Sequence, residues 1–151
     1  MARKLQPVSP FNEGETMSLL TPLYVQVALT FIVLFIMIGF RVKALTTGGL
    51  KPEDVSLRQP LWPETATKAS NNFLSQFEVP VLFFTLVILH IVTQTGDQTQ
   101  LYLAWVHVIF RVFHAITHIF FNTNTIRTLF FAISTFTLMG MWARFALMVS
   151  P

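Results

Sequence analysis

Three features of the sequence predict an all-α integral membrane protein built as a four-helix bundle. Of 151 residues, 53% are hydrophobic and only 11% charged, less than half the roughly 25% charged of an ordinary soluble domain. Sixteen are Phe, more apolar surface than so short a soluble chain can cover. Four apolar stretches are each long enough to cross a hydrocarbon core, which takes about 20 helical residues. Soluble enzyme, disordered chain and secreted disulfide scaffold are all excluded on these grounds. The length fits one domain over 1–151, against a soft prior of roughly 150 residues per domain.

The elements follow in order. Residues 1–18 are polar, and the first apolar run is too long for a signal-peptide core and lacks a small-residue cleavage site, so it is expected to stay in the protein. That first span covers 19–40, interrupted only by Gln26 and two Thr. The second, 73–93, is apolar except for Ser75, Gln76, Glu78 and His90. The third, 101–121, carries His107, Arg111, His114 and His118, and the fourth, 126–149, has Arg127 near its start and Arg144 near its end. Between the first two lies a loop, 42–72, whose TGGLKPEDV and RQPLWPET stretches hold helix-breaking Gly and Pro. The other two turns are short.

Charge orients the bundle. Lys43, Lys51, Arg58 and Lys68 lie in the 42–72 loop with Arg41 at its edge, so the positive-inside rule places that loop in the cytoplasm. Arg3 and Lys4 argue the other way but are outnumbered. The net charge of +3 comes with no basic patch interleaved with aromatics, so nucleic acid is not an expected partner. The absence of Cys removes disulfides, thiolate metal sites and a cysteine nucleophile.

Ionisable groups inside a bilayer cost about 2.5–3.5 kcal/mol each on insertion scales, and such groups face the bundle interior or a water-filled cavity. Arg111, His114, His118 and Asn122 fall at i, i+3, i+7 and i+11, one stripe of a helix, which His107 extends. Asn71, Ser75 and Glu78 share a face by the same reasoning, and Arg127 opens the fourth span on the same side. Three spans are thus expected to bring acid, imidazole and guanidinium to one depth, forming a cationic pocket with one carboxylate at the cytoplasmic end. The bland alternative is structural: Glu78 neutralising Arg111 or Arg127, and histidines bonding waters or carbonyls. Arg41, Lys43 and Arg144, near span ends, read as snorkelling anchors, and Trp105, Trp142 and Tyr24 as interfacial aromatics or packing.

HAITH places His114 and His118 one turn apart, as metal ligands often are, but four His are too few for a di-iron membrane site and no metal is expected. His90 and His107, towards the outer end of adjacent spans, keep haem as a lesser alternative.

The segment RVFHAITHIFFNTNTIRT resembles the signature of the MAPEG family, the membrane-associated proteins in eicosanoid and glutathione metabolism. That family shows Arg-x-x-His-x-x-x-Tyr late in its third span and Arg nine residues further on. Arg111, His114 and Arg127 match that spacing. NNFLSQFEVPVLFF is similar to the signature that opens the family's second span, especially in its bacterial branch. Two positions depart: His118 stands where glutathione-using members commonly have Tyr, and Leu74 occupies the expected acid position, with Glu78 one turn later.

The resemblance implies a homotrimer of four-helix protomers that binds glutathione between subunits at the cytoplasmic side of a membrane, with a bacterial inner membrane preferred. It implies glutathione contacts from Arg111 and His114, more loosely from Asn71 and Glu78, and thiolate stabilisation by Arg127. Thr128 or His118 would donate a further hydrogen bond to the thiolate; Arg111, Lys68 and Arg41 would face glutathione's carboxylates, and Glu78 its ammonium. The expected second substrate is a lipophilic electrophile or lipid hydroperoxide entering from the bilayer through a Phe-rich groove, which makes the protein a microsomal-type glutathione transferase or peroxidase. The alternative is a non-catalytic lipid-binding or scaffold protein of the same fold.

Overall fold

The computed structural model describes residues 18–48, 50, 51, 53, 62–121 and 123–150. Arg3, Lys4, Arg58 and Asn122, which entered the charge and stripe arguments, lie outside the described residues, as does most of the Gly- and Pro-containing loop. Among the described residues the elements are all helical: α1 (Leu20–Thr47), α2 (Glu64–Ser75), α3 (Val79–Thr93), α4 (Gln98–Ile116), a π-helical turn (Thr117–Phe121) and α5 (Asn124–Val149). Four helical units, with α2 and α3 counted as one, are long and apolar enough to cross a membrane.

Their limits differ from the sequence expectation in two places. Helix α1 runs to Thr47, past the end of the apolar run, because AL and TT at its end favour no competing turn until Gly48. Within the expected second span, the helix breaks at Gln76–Glu78. The cause is Pro80: it has no N–H to donate to the Gln76 carbonyl, and its ring collides with that carbonyl in a continuous helix. Pro80 instead sits in the first turn of α3, where the missing N–H costs nothing. Asn71, Ser75 and Glu78 therefore do not share one face: Asn71 is exposed, Ser75 is buried in the last turn of α2, and Glu78 lies in the break.

Packing follows the distribution of small and large side chains. Ala104, Ala115 and Ser134 are buried where α4 meets its neighbours, and small residues let membrane helices approach closely. One apolar cluster joins Phe83, Leu86 and Val87 of α3 to Val108 of α4 and to Leu138 and Met141 of α5. A second joins Leu29 and Val33 of α1 to Ala115 and Ile119. Phe31, Phe35, Phe136 and Leu147 point outwards, as a bilayer allows and water does not.

A chain of buried amides binds these helices where the break leaves backbone groups unpaired. Gln26 Nε2 donates to Gln76 Oε1 at 3.0 Å, and Gln76 Nε2 to Asn72 Oδ1 at 2.9 Å. Asn72 Nδ2 then donates to the Ala115 carbonyl at 2.9 Å. Gln26, Gln76 and Asn72 are all fully buried. At the other end of the bundle, Asp97 caps α4 through the Gln100 amide at 2.8 Å and pairs with Arg144, while Gln100 Nε2 reaches the Met141 carbonyl at 3.1 Å.

Asn72→Ala removes the amide chain's link to α4, strands the Ala115 carbonyl and leaves the Gln76 amide only its longer bond to the backbone carbonyl of residue 72. It should destabilise the fold by about 1–2 kcal/mol, read as a lower midpoint of thermal unfolding of the detergent-purified chain. Asn71→Ala, one residue away and exposed, should shift stability by less than about 0.5 kcal/mol.

Candidate functional site

The break after Ser75 creates the first element of the site. Arg111, on α4, is the largest fully buried side chain among the described residues. Its Nη2 donates to the Ser75 carbonyl at 2.7 Å and lies 3.2 Å from the Ser75 hydroxyl. The guanidinium carbon also sits 5.8 Å from the Phe131 ring centroid on α5, within cation–π range. Nε and Nη1 of Arg111 are walled off without a hydrogen-bond partner. A buried cation bonded through only one of its three nitrogens carries a desolvation cost that its own hydrogen bonds offset only in part.

Next to it, Ser75, Glu78, His114, His118, Arg127, Thr128 and Phe131 line an open cleft of about 230 Å³. His114 donates from Nδ1 to the Arg127 carbonyl at 3.1 Å; a carbonyl only accepts, so Nδ1 carries a proton. That bond ties the end of α4 to the first turn of α5 and fixes where Arg127 starts. The His114 ring packs 5.5 Å from Phe131 and 5.6 Å from His118. His118 lies in the π-helical turn. Such turns are uncommon and gather at functional sites; here His118 is buried beside His114, one turn further along. Its Nδ1 has no partner.

Arg127 is bonded through its backbone, its amide reaching the Thr123 carbonyl at 3.0 Å. Its guanidinium has no hydrogen-bond or ion-pair partner among the described residues. Glu78 is exposed at the cleft and forms an ion pair with neither Arg111 nor Arg127; the pairs found among the described residues are Lys68–Glu64 and Arg144–Asp97. The structural reading of Glu78 as their neutralising partner therefore lacks its salt bridge.

The remaining expected site residues lie elsewhere. Arg41 Nη2 donates to Ser70 Oγ at 3.0 Å, and its guanidinium covers Trp62 at 5.1 Å. Lys68 pairs with Glu64 on its own helix. Asn71 is exposed, whereas its neighbour Asn72 faces inwards. The structure thus gathers Glu78, His114, His118, Arg127 and Thr128 in one cleft with Arg111 at its back, and leaves Arg41, Lys68 and Asn71 outside its lining. Ser75 and Phe131 complete the lining. Sequence reasoning assigned Ser75 only to a stripe and Phe131 to nothing; its seven-residue spacing from Asn124 and four from Arg127 was the available signal.

The two histidines of the haem alternative are each bonded through Nδ1, and Nε2 of each is buried without a partner. His107 Nδ1 lies 3.0 Å from both the carbonyl and the hydroxyl of Ser134, and its ring stacks on Phe83. His90 Nδ1 bonds Thr95 Oγ1 at 2.8 Å. A cluster of three or more His, Asp and Glu able to hold a metal is not found among the described residues. The Phe-rich groove lies between α1 and the α2–α3 segment, lined by Phe31, Phe73, Phe77 and Phe84.

The model of the MAPEG family matches residues 19–147, nearly the whole chain. No curated protein and no solved structure matches it significantly.

Arg127 and His114 should separate in stability measurements. Arg127→Ala keeps the carbonyl that His114 uses and removes an unpaired side chain, so the unfolding midpoint should stay within about 0.5 kcal/mol of wild type. His114→Ala leaves a cavity between α4 and α5 and should cost about 1–3 kcal/mol. Thermal unfolding of both variants in the same detergent checks this.

Proposed function

The chain belongs to the MAPEG family, and from that premise we propose that it activates glutathione in the cleft beside Arg127, as a transferase that joins the thiolate sulfur to a lipophilic electrophile or as a peroxidase that reduces a lipid hydroperoxide to its alcohol and water while two glutathiones become the disulfide. Membership and four membrane-capable helices make it an integral, multi-pass membrane protein of the glutathione and eicosanoid metabolism type. The observation that carries the finer reading is the guanidinium of Arg127, unpartnered at a cleft that it shares with two histidines and a carboxylate.

The chemistry follows from thiol acidity. A free thiol has a pKa of about 8.5 and is mostly protonated at neutral pH, whereas the thiolate is the nucleophile. A guanidinium in a poorly hydrated cleft favours the anion through charge and through N–H donation. Thr128 and His118 supply further donors to the sulfur. Arg111, behind the cleft with Nε and Nη1 unbonded but walled off, places positive charge near a carboxylate of the tripeptide, and Glu78 suits its ammonium. Lys68 and Arg41 serve only if the ligand reaches beyond the cleft, or if a neighbouring copy presents them. That need is one reason to propose a homotrimer with glutathione between subunits. The site then faces the cytoplasm, as the basic 42–72 loop implies, and the resemblance to the family's bacterial branch favours a bacterial inner membrane.

A second reading, a non-catalytic lipid binder of the same fold, is favoured by one observation. An apolar groove of about 490 Å³ runs along α3 and α5, larger than the polar cleft.

Titrating glutathione into the detergent-purified chain should raise a saturable ultraviolet thiolate absorbance, and Arg127→Ala should abolish it while the fold persists. A wild-type chain that binds glutathione without ionising it, or does not bind it, would overturn the enzyme reading.

A further inference from the structure

Ionising a thiol leaves a proton that must go somewhere, and one ring in the cleft is set to take it. Of the four histidines, His90 and His107 have Nε2 sealed in the bundle without a partner, out of reach of a ligand in the cleft. His118 reaches the cleft, but its Nδ1 bonds nothing, so no hydrogen bond among the described residues fixes its ring or its tautomer. His114 differs from all three. Its Nδ1 is held by the Arg127 carbonyl at 3.1 Å. Its Nε2, on a residue that lines the cleft, is neither bonded nor walled off among the described residues.

That bond decides the chemistry of the ring. A carbonyl only accepts, so the proton of the neutral imidazole lies on Nδ1 and the lone pair on Nε2. Nucleophilic sites orient a general base in this way, through the nitrogen that does not react. A carboxylate often fills the place that the Arg127 carbonyl fills here. The rings of Phe131 and His118, 5.5 Å and 5.6 Å away, pack against it.

Arg127 carries both the carbonyl that holds the base and the unpaired guanidinium, so base and cation are tied through a single residue. Among the described residues, the charged or titratable groups that act on His114 are Arg111 of its own helix, His118 of the π-helical turn and Arg127 of α5. Glu78, in the break, lines the same cleft. A proton placed on Nε2 alone would add a further cation beside two guanidiniums. Placed there as a thiolate forms, it arrives with its counter-charge, so the two ionisations go together.

We infer that His114 Nε2 is the proton acceptor for the glutathione thiol, which rests on the glutathione activation proposed above. The S–H bond breaks, its electron pair stays on the sulfur facing Arg127, and the proton forms an N–H bond at Nε2. When the sulfur attacks the terminal oxygen of a hydroperoxide, the O–O bond breaks and the leaving alkoxide takes that proton to become the alcohol. A second glutathione then converts the sulfenic acid on the first to the disulfide and water. When the sulfur adds to an electrophile, the anion formed takes the proton instead.

An internal acceptor has a signature that bulk water lacks. The proton moves between two bound groups, so the thiolate absorbance of the detergent-purified chain with glutathione should stay level from about pH 6.5 to about pH 8. Ionisation should also release almost no protons. Calorimetric titration in phosphate and in Tris, buffers of different ionisation enthalpy, counts them; S-methylglutathione, which has no thiol proton, gives the baseline. In His114→Asn the amide nitrogen stands where Nδ1 stood and keeps the bond to the Arg127 carbonyl, while nothing replaces Nε2. This variant should still bind glutathione, but its thiolate should rise about tenfold per pH unit below the midpoint and release a proton for every thiolate. A wild-type chain that behaves like that expected variant overturns the inference and leaves glutathione activation standing. Proton retention that survives His114→Asn but is lost in Glu78→Gln or His118→Gln also overturns it. A wild-type chain that forms no thiolate at any pH overturns both readings. The wild-type proton count decides by itself, even where His114→Asn fails to fold.

Discussion

One missing N–H organises this protein. Because Pro80 cannot donate to Gln76, the helix that begins at Glu64 stops at Ser75 and restarts at Val79 inside a span that is otherwise apolar. Unpaired backbone in hydrocarbon costs several kcal/mol per group, so non-helical backbone survives at membrane depth only where protein or water supplies the missing partners. The structure supplies them from α4. Arg111 takes the Ser75 carbonyl, and the Asn72 amide, held by Gln76 and Gln26, takes the Ala115 carbonyl. The break fixes where α4 must lie, and α4 carries the histidines.

From that point the cleft follows by continuity. Arg111 anchored on Ser75 sets the rotation of α4, which turns His114 towards the start of α5. His114 then holds the Arg127 carbonyl, and His118, one turn on in the π-helical segment, lies on the same side. Each step transmits position through a hydrogen bond or a ring contact. None of the described steps uses the Arg127 side chain, and Arg127 is therefore left to the cleft.

The fold was legible because membrane spans announce themselves through length and apolar content, which need no tertiary information. The α4 stripe was also legible: one helix, an intact 3.6-residue period, and polar residues too costly to face lipid. What failed was the face shared by Asn71, Ser75 and Glu78. That reading assumed an unbroken helix, although Pro80 stood in the sequence two residues beyond Glu78. The period was counted across a point where it no longer applied. Asn72, not Asn71, turned out to be the inward amide for the same reason that the whole set is shared among helices: which of two adjacent asparagines faces inwards depends on where α1 and α4 pack. Phe131 and the α3–α5 groove could not be read from one helix, since both come from how α5 lies against α3.

The polar residues inside the bundle divide into two kinds, and the division separates construction from chemistry. Asn72 and Ser134 bond fixed groups of neighbouring helices, Ser75 donates to the Asn72 carbonyl of its own helix, and Gln26, Gln76 and Gln100 each spend their amide N–H on a fixed protein group. These side chains replace packing that lipid cannot provide. Arg111, His118 and Arg127 keep donors or acceptors in reserve, and Glu78 has a carboxylate without an ion pair, all within or behind one cleft. Reserve capacity in a low-dielectric site is expensive, and scattered instances are expected in any structure. Four at one place, three on helical elements and Glu78 in the break, concentrate unpaired capacity of both signs around one cleft. Thr135 and Trp142 repeat the pattern on a smaller scale along the groove that leaves the cleft.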